Sequence, residues 1–422
     1  MHIPPLLALL LAASLAEAVL SFWLSRRQIR HVRAHRDRIP ADFIQAVSPS
    51  EHHKAADYTV AREHLAVLRS GWQWAIGAAW LLGGFDLLYG LLATAMPPSL
   101  GRSVAFVLAS TAIGSVLSLP FSLYGTFVIE QKFGFNRTSP ALFVRDKLKG
   151  WALSLLVAVP LLFACFWLMR NATGFWWLYV WLGLMVLMLS APTVYVRLIA
   201  PRFNRFTPLP DGELKSGILT LMKKCGFQAS ALFTMDASKR SAHGNAYFIG
   251  FGRTKRIVLF DTLIEGSPME EIRAIIAHEL GHFRHRHVLF GMLRTIAILF
   301  FVLAGFGWLA RQPWLLPALG IRHSDPALSL VACILCWSLV GPFAALAGNW
   351  MSRRHEFQAD AFARSQAGAD PMVSALVRLS RENASTLTPD PLYALYHYSH
   401  PPVPVRVARI REPQFQSQLQ AG

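Results

Sequence analysis

The chain has 422 residues, of which 54% are apolar and only 15% charged, with a mean hydropathy of +0.37. Soluble domains carry about a quarter charged residues, so this composition excludes an ordinary soluble protein and indicates a membrane protein. The formal charge of +17 does not indicate a nucleic-acid partner, because the basic residues cluster between hydrophobic stretches rather than among exposed aromatics.

In chain order, seven transmembrane spans are predicted, at about 4–25, 71–96, 103–128, 151–169, 175–200, 288–311 and 327–349, each near the roughly 20 residues that cross a hydrocarbon core. The first resembles a signal peptide at Ala16-Glu17-Ala18. It has no basic leader and runs directly into Arg26-Arg27, so it reads as a retained anchor. Glu17 and Asp86 lie within spans and are expected to face a polar interior. The loop 26–70 and the segments 129–150, 201–287 and 350–422 are rich in Lys and Arg, whereas the alternate loops are short and nearly uncharged. The positive-inside rule then places the N-terminus outside and the C-terminus in the cytosol.

The two longest non-spanning stretches, 201–287 and 350–422, are expected to form one cytosolic α+β domain split by spans six and seven. The division is thus 1–200, spans one to five; 201–287, first part of that domain; 288–349, spans six and seven; and 350–422, second part. The first part reads as a helix at 211–225, alternating segments near 230–236 and 245–250, a strand at Arg256–Phe260, and a helix that could run straight into span six. In the second part 371–382 looks helical, and the chain leaves helix at Pro401-Pro402. Cys333-x-x-Cys336 lies inside span seven without a charged or histidine neighbour, so both cysteines read as small packing residues. Four cysteines in all are too few and scattered for a disulfide framework.

The chemistry centres on His278-Glu279-Leu280-Gly281-His282. Residues four apart share a helix face, so His278 and His282 can offer imidazole nitrogens to one ion, with Glu279 beside them. Glu356 is the natural third ligand, and Asp360, one turn on, would orient a ligand imidazole. Two histidines and a glutamate favour zinc and leave a position open for water, and Glu279 is suited to act as general base.

Five motifs in order carry a resemblance to the type I CAAX prenyl endopeptidases, integral-membrane zinc gluzincins, across about residues 60–410. Besides the zinc motif, they are Glu130–Ser139, Ser241–Phe251, Lys255–Leu263, Asn349–Asp360 and Tyr396–Arg406. The resemblance implies a barrel of seven tilted helices around a water-filled chamber, closed on the cytosolic side by the zinc domain. It implies one zinc ion per chain, held by His278, His282 and Glu356, with Glu279 as general base. His400 would stabilise the oxyanion, Arg406 receive the substrate carboxylate, and Asn245 and Ala246 pair with a bound peptide or protein substrate, prenylated at its C-terminus in the family's own reaction. Val405 stands where the family usually has an acidic residue, which predicts a less constrained loop around Arg406. His243, His285, His287, His355 and His397 are read as solvated or as supports behind the ligands. The compact, arginine-rich loops point to a bacterial inner membrane, with the endoplasmic reticulum as the alternative. Two other functions fit the same residues: a quality-control protease acting on unprenylated membrane polypeptides, and a non-catalytic chaperone or channel, against which the intact Glu279 argues.

Overall fold

The computed structural model describes residues 3–172, 174–227, 231–249 and 256–412. Residues 230, 250, 251 and 255 of the predicted segments and quoted motifs lie outside this set.

Among the described residues, six helices are long and apolar enough to cross a membrane: Pro5–Ala34, Pro49–Ala95, Leu100–Glu130, Pro140–Asn171, Trp176–Phe203 and His287–Leu309. Pro326–Ser338 and Gly341–Ala367, which meet at 55°, make a seventh, broken span if the pair is taken as one. No more than 11% of any one of the six apolar windows is buried, so these helices face lipid or an internal space rather than a packed core.

The expected loop 26–70 is mostly helix. Span one continues to Ala34 and span two begins at Pro49, where Ser48 and Glu51 form a reciprocal capping box. The two helices pack together above the membrane, and Arg27 of the first binds both carboxylate oxygens of Asp390 near the C-terminus at 3.3 and 2.9 Å. Burial, with a smaller contribution from the charge of Glu17, raises the Tyr396 hydroxyl above its ordinary value, so Glu17 acts on the C-terminal segment. Asp86 lines an open cavity with Leu7, Leu82 and Arg322. It accepts hydrogen bonds from the Arg322 amide (3.0 Å) and His323 Nδ1 (2.8 Å) in the connection between spans six and seven.

A four-stranded sheet lies outside the spans in the order β1-β2-β4-β3, formed by β1 (Phe206–Pro208), β2 (Ala231–Met235), β3 (Ala246–Ile249) and β4 (Arg256–Phe260). β2 and β4 run parallel, whereas β1 and β3 join antiparallel, Ala246 opposite Leu259. The two-residue alternation sends Ala246 into the main core and Tyr247 to the opposite face. Among the described residues β3 ends the sheet, with one edge left open for pairing.

The helix Met269–Arg284 buries Ile272, Ile276 and Leu280 in the core beneath this sheet. It does not run into span six: Arg286 adopts a left-handed conformation (φ 55°), and the next helix starts at His287. The helix Gly341–Ala367 crosses residue 350 without a break, so the limb of span seven is the same helix that carries Glu356. Ala369–Glu382 and Val403–Arg411 complete the core.

Candidate metal centre

Two helices supply the donors. On Met269–Arg284 the i, i+4 spacing sets His278 Nε2 and His282 Nε2 3.3 Å apart. Glu356 comes from Gly341–Ala367, with Oε2 3.5 Å from His278 Nε2 and Oε1 3.3 Å from His282 Nε2. The helices approach this closely because Gly281 faces Ala359, with no side chain between the backbones.

This donor set fits a tetrahedral ion. Ligands about 2.0–2.2 Å from zinc stand roughly 3.3–3.6 Å from one another, and the observed separations are 3.3–3.5 Å. Glu356 Oε2 is buried without a close hydrogen-bond partner, its nearest polar neighbours being His278 Nε2 and Arg406 Nη1, each at 3.5 Å, so much of its desolvation cost stands unless an ion meets it.

The far sides of both imidazoles are held. His278 Nδ1 lies 2.9 Å from Asp360 Oδ1, so Nδ1–H donates and the Nε2 lone pair faces the site. His282 Nδ1 meets His287 Nδ1 at 3.0 Å, and His287 Nε2 meets Gln358 Oε1 at 2.8 Å. Because Gln358 Oε1 only accepts, His287 must donate to it and accept from His282, which again directs a lone pair at the site. His355 stacks on His287 at 4.0 Å. Sequence reasoning left His287 among the supporting or solvated histidines and did not notice Gln358; its position two residues after Glu356 was the available signal.

Arg406 is not on a loose loop. It lies within Val403–Arg411 and is buried, binding Asp360 through Nε (2.9 Å) and Nη2 (2.6 Å), with Nη1 3.5 Å from Glu356 Oε2. The doubt raised by Val405 is thus answered by Asp360, which supplies the acidic partner from another helix.

A cavity of about 360 Å³ joins these groups to Glu279, His400, Asn245 and Ala246. Its remaining wall is aliphatic, including Leu263, Ile275, Met372 and Leu376. Burial raises the Glu279 carboxyl above its usual value, with Glu356 adding to this while the surrounding cations oppose it. Burial also opposes protonation of His278, but its bonds to Asp360 and Glu356 outweigh this and raise the imidazole to about 9. His400 Nε2 stands 3.4 Å from Glu356 Oε1 on an exposed turn. Asn245 is exposed at the head of β3, its Oδ1 accepting from the Ala246 amide at 2.8 Å.

Residues 28–205 match the family model for the CAAX prenyl protease N-terminal region of five membrane helices, and residues 208–414 match peptidase family M48. The CAAX prenyl protease 1 homolog of Arabidopsis thaliana is 35% identical over 88% of this chain and 90% of its own. CAAX prenyl protease 1 of Saccharomyces cerevisiae is 30% identical over 94% and 93%. The crystal structure of S. mikatae Ste24p superposes with a TM-score of 0.89 at 28% identity, covering 97% of this chain and all of that one. A multi-span helical architecture, a His-His-Glu cluster beside a sheet edge and these matches agree: the chain is an integral-membrane metalloprotease belonging to peptidase family M48.

Proposed function

We propose that the protein is a zinc endopeptidase that trims C-terminal peptides from prenylated, CAAX-type substrates at the cytosolic face of a bacterial inner membrane. The observation that carries this reading is the joining of the three donors, Glu279, an open sheet edge and an aliphatic wall in one cavity. An aliphatic residue after the scissile bond suits that wall.

His278, His282 and Glu356 would hold the ion, which when bound supplies Lewis acidity to the scissile carbonyl and acidifies the attacking water. Glu279 takes the water's proton and passes it to the leaving amine, and the raised pKa that burial gives its carboxyl suits a group that must both accept and release. His400 faces the site from the solvent side and donates to the developing oxyanion. Substrate main chain pairs with Asn245 and Ala246 along β3. Arg406 has its Nε and Nη2 engaged with Asp360 and its Nη1 3.5 Å from Glu356 Oε2, so only Nη1, by turning from Glu356, can reach a substrate carboxylate, a single bond rather than the bidentate clasp. Arg27, at the end of span one, binds Asp390 of the C-terminal segment, so this basic end of the span and the metal centre share one side, which the positive-inside rule makes cytosolic.

The test is zinc content and cleavage of a farnesylated CAAX reporter and its unprenylated twin by wild type and Glu279→Ala in detergent. Both proteins should hold about one zinc per chain, and only wild type should cut, favouring the prenylated reporter. Indifference to the lipid favours the quality-control reading, to which the lining also lends itself, since its contacts suit main chain and aliphatic side chains generally.

A further inference from the structure

The segment that leads into the edge strand is gripped by the membrane helices. Asn136, in the loop after span three, forms an antiparallel bridge with Ser241, and the Ala242 amide donates to the Phe135 carbonyl at 3.2 Å. Arg240 binds both oxygens of Asp146 on span four (2.8 and 3.2 Å) and Asn204 Oδ1 at the end of span five (2.7 Å). His243 completes the grip. Its ring stacks on Phe135 at 4.4 Å, its Nδ1 meets Asn383 Oδ1 at 2.9 Å, and its Nε2 lies 3.5 Å from Glu130 Oε2. Glu130, the last residue of the span-three helix, is held in turn by the Tyr58 hydroxyl of span two at 2.5 Å. The carbonyl of His243 accepts from Thr262 Oγ1 at 3.0 Å, and two residues later the Asn245 carbonyl accepts from the Phe260 amide at 3.0 Å.

A short edge strand has weak register of its own: sliding it by one residue turns every side chain over, and tilting it moves a paired substrate past the metal. β3 has four residues, one partner strand and an open edge, so its first turn must be fixed from outside the sheet. We propose that His243, clamped between Glu130 and Asn383, is a positioning residue that fixes the edge strand relative to the metal centre, so that one peptide bond of the substrate is presented for cleavage. The inference rests on the reading that substrate pairs with Asn245 and Ala246. It gives the loop 130–139 a function: the membrane spans set the substrate's register.

The experiment uses the full chain in detergent and a peptide reporter with several successive cleavable bonds, its products read by mass spectrometry. His243→Ala and Glu130→Ala should each keep zinc, raise KM about tenfold with little change in kcat, and spread cleavage onto neighbouring bonds. His243→Gln, which keeps a donor to Asn383, should restore the single product. Wild-type KM with an undivided product in both alanine variants overturns the proposal. So does a fall in kcat at an unchanged cleavage site, which is what mere loss of stability gives. If wild type itself cuts no reporter, the cleavage reading has failed, and the inference is decided by binding of a fluorescent peptide to Glu279→Ala: adding His243→Ala should weaken it about tenfold, and equal affinity refutes the positioning role.

Discussion

Gly281→Ala tests whether the closeness of two helices, rather than the identity of the ligands alone, makes the metal centre. A Cβ built on Gly281 would lie 2.9 Å from Ala359 Cα, 3.1 Å from the Ala359 carbonyl oxygen and 3.2 Å from Phe362 Cβ. Two of these are backbone atoms with no rotamer to change, and carbon atoms rest at about 3.5–4.0 Å, so the helices must part by roughly 0.5–1 Å. Overpacking of this kind costs about 1–3 kcal/mol, while replacing glycine by alanine in a helix returns about 1 kcal/mol, leaving a net loss of roughly 0–2 kcal/mol. The site should suffer more than the fold. His278 and His282 stand on one of the parting helices and Glu356 on the other, and a metal site tolerates only about ±0.2 Å in its bond lengths. Zinc affinity should drop about tenfold or more, a loss of at least ~1.4 kcal/mol. A chromophoric chelator titration measures it, with kcat/KM at saturating zinc and thermal melting alongside. Gly291→Ala in span six is the control, because nothing lies within 4 Å of a Cβ there. Gly281→Ala with wild-type zinc affinity and activity would refute the argument.

Other outcomes follow from the same geometry. Asp360→Asn strips the buried Arg406 of its counter-charge and leaves one oxygen for Arg406 and His278 to share, and should lower stability by about 3–5 kcal/mol and zinc affinity by about 10–100-fold, read by melting and chelator titration. His287→Ala leaves the ligands in place but frees the far side of His282, so metal affinity should fall about tenfold while the melting temperature of the metal-free protein stays near wild type. Asp390→Ala removes a cap bonded to the Leu392 and Tyr393 amides and should cost about 1–2 kcal/mol. Burial opposes ionisation of Asp390, but Arg27 and the backbone bonds prevail and hold its pKa below the ordinary value. Its stabilisation is therefore present above the unfolded-state pKa of about 3.9 and fades as pH falls through the depressed pKa, so the gap between wild type and variant should narrow in melts taken at successively lower pH below that value.

The features that sequence made legible are those set by local periodicity. Ile272 and Ile276 with His278 and His282 mark two faces of one helix, and Glu356 with Asp360 repeats the spacing on another. Arg256–Phe260 is the strand that its run of apolar residues predicts. What escaped were breaks and long-range contacts. The left-handed Arg286 carries no glycine or proline to announce a helix break, so the His278 helix read as continuous with span six. Two signals were present and went unused: Ser48-Pro49-Ser50-Glu51 starts the span-two helix well before the membrane, and Gly341-Pro342 restarts span seven after its bend. β1, three residues ending in proline, has too little pattern to detect. The pairing of Arg406 with Asp360 spans 46 residues, and no local rule connects them.

That pairing also explains how the site balances its charge. Glu279, Glu356 and Asp360 bring three carboxylates to a buried volume that holds one guanidinium, Arg406, together with His278 and His282. With both imidazoles neutral, as ligation demands, the carboxylates exceed the guanidinium by two charges, which a divalent ion cancels. The division of labour is geometric. Both Asp360 oxygens are occupied, one by His278 and Arg406 and the other by Arg406 alone, so Asp360 is withheld from the ion and serves to orient. Glu356 keeps Oε2 free of hydrogen bonds and is left to bind. Arg406 would thus decide which of two carboxylates one helical turn apart is free to meet an ion. Replacing it by leucine should free Asp360 to compete for the ion and leave the buried acids undercompensated, and the loss of activity should exceed the loss of bound zinc. Equal losses of zinc and activity would show instead that Arg406 acts only through stability.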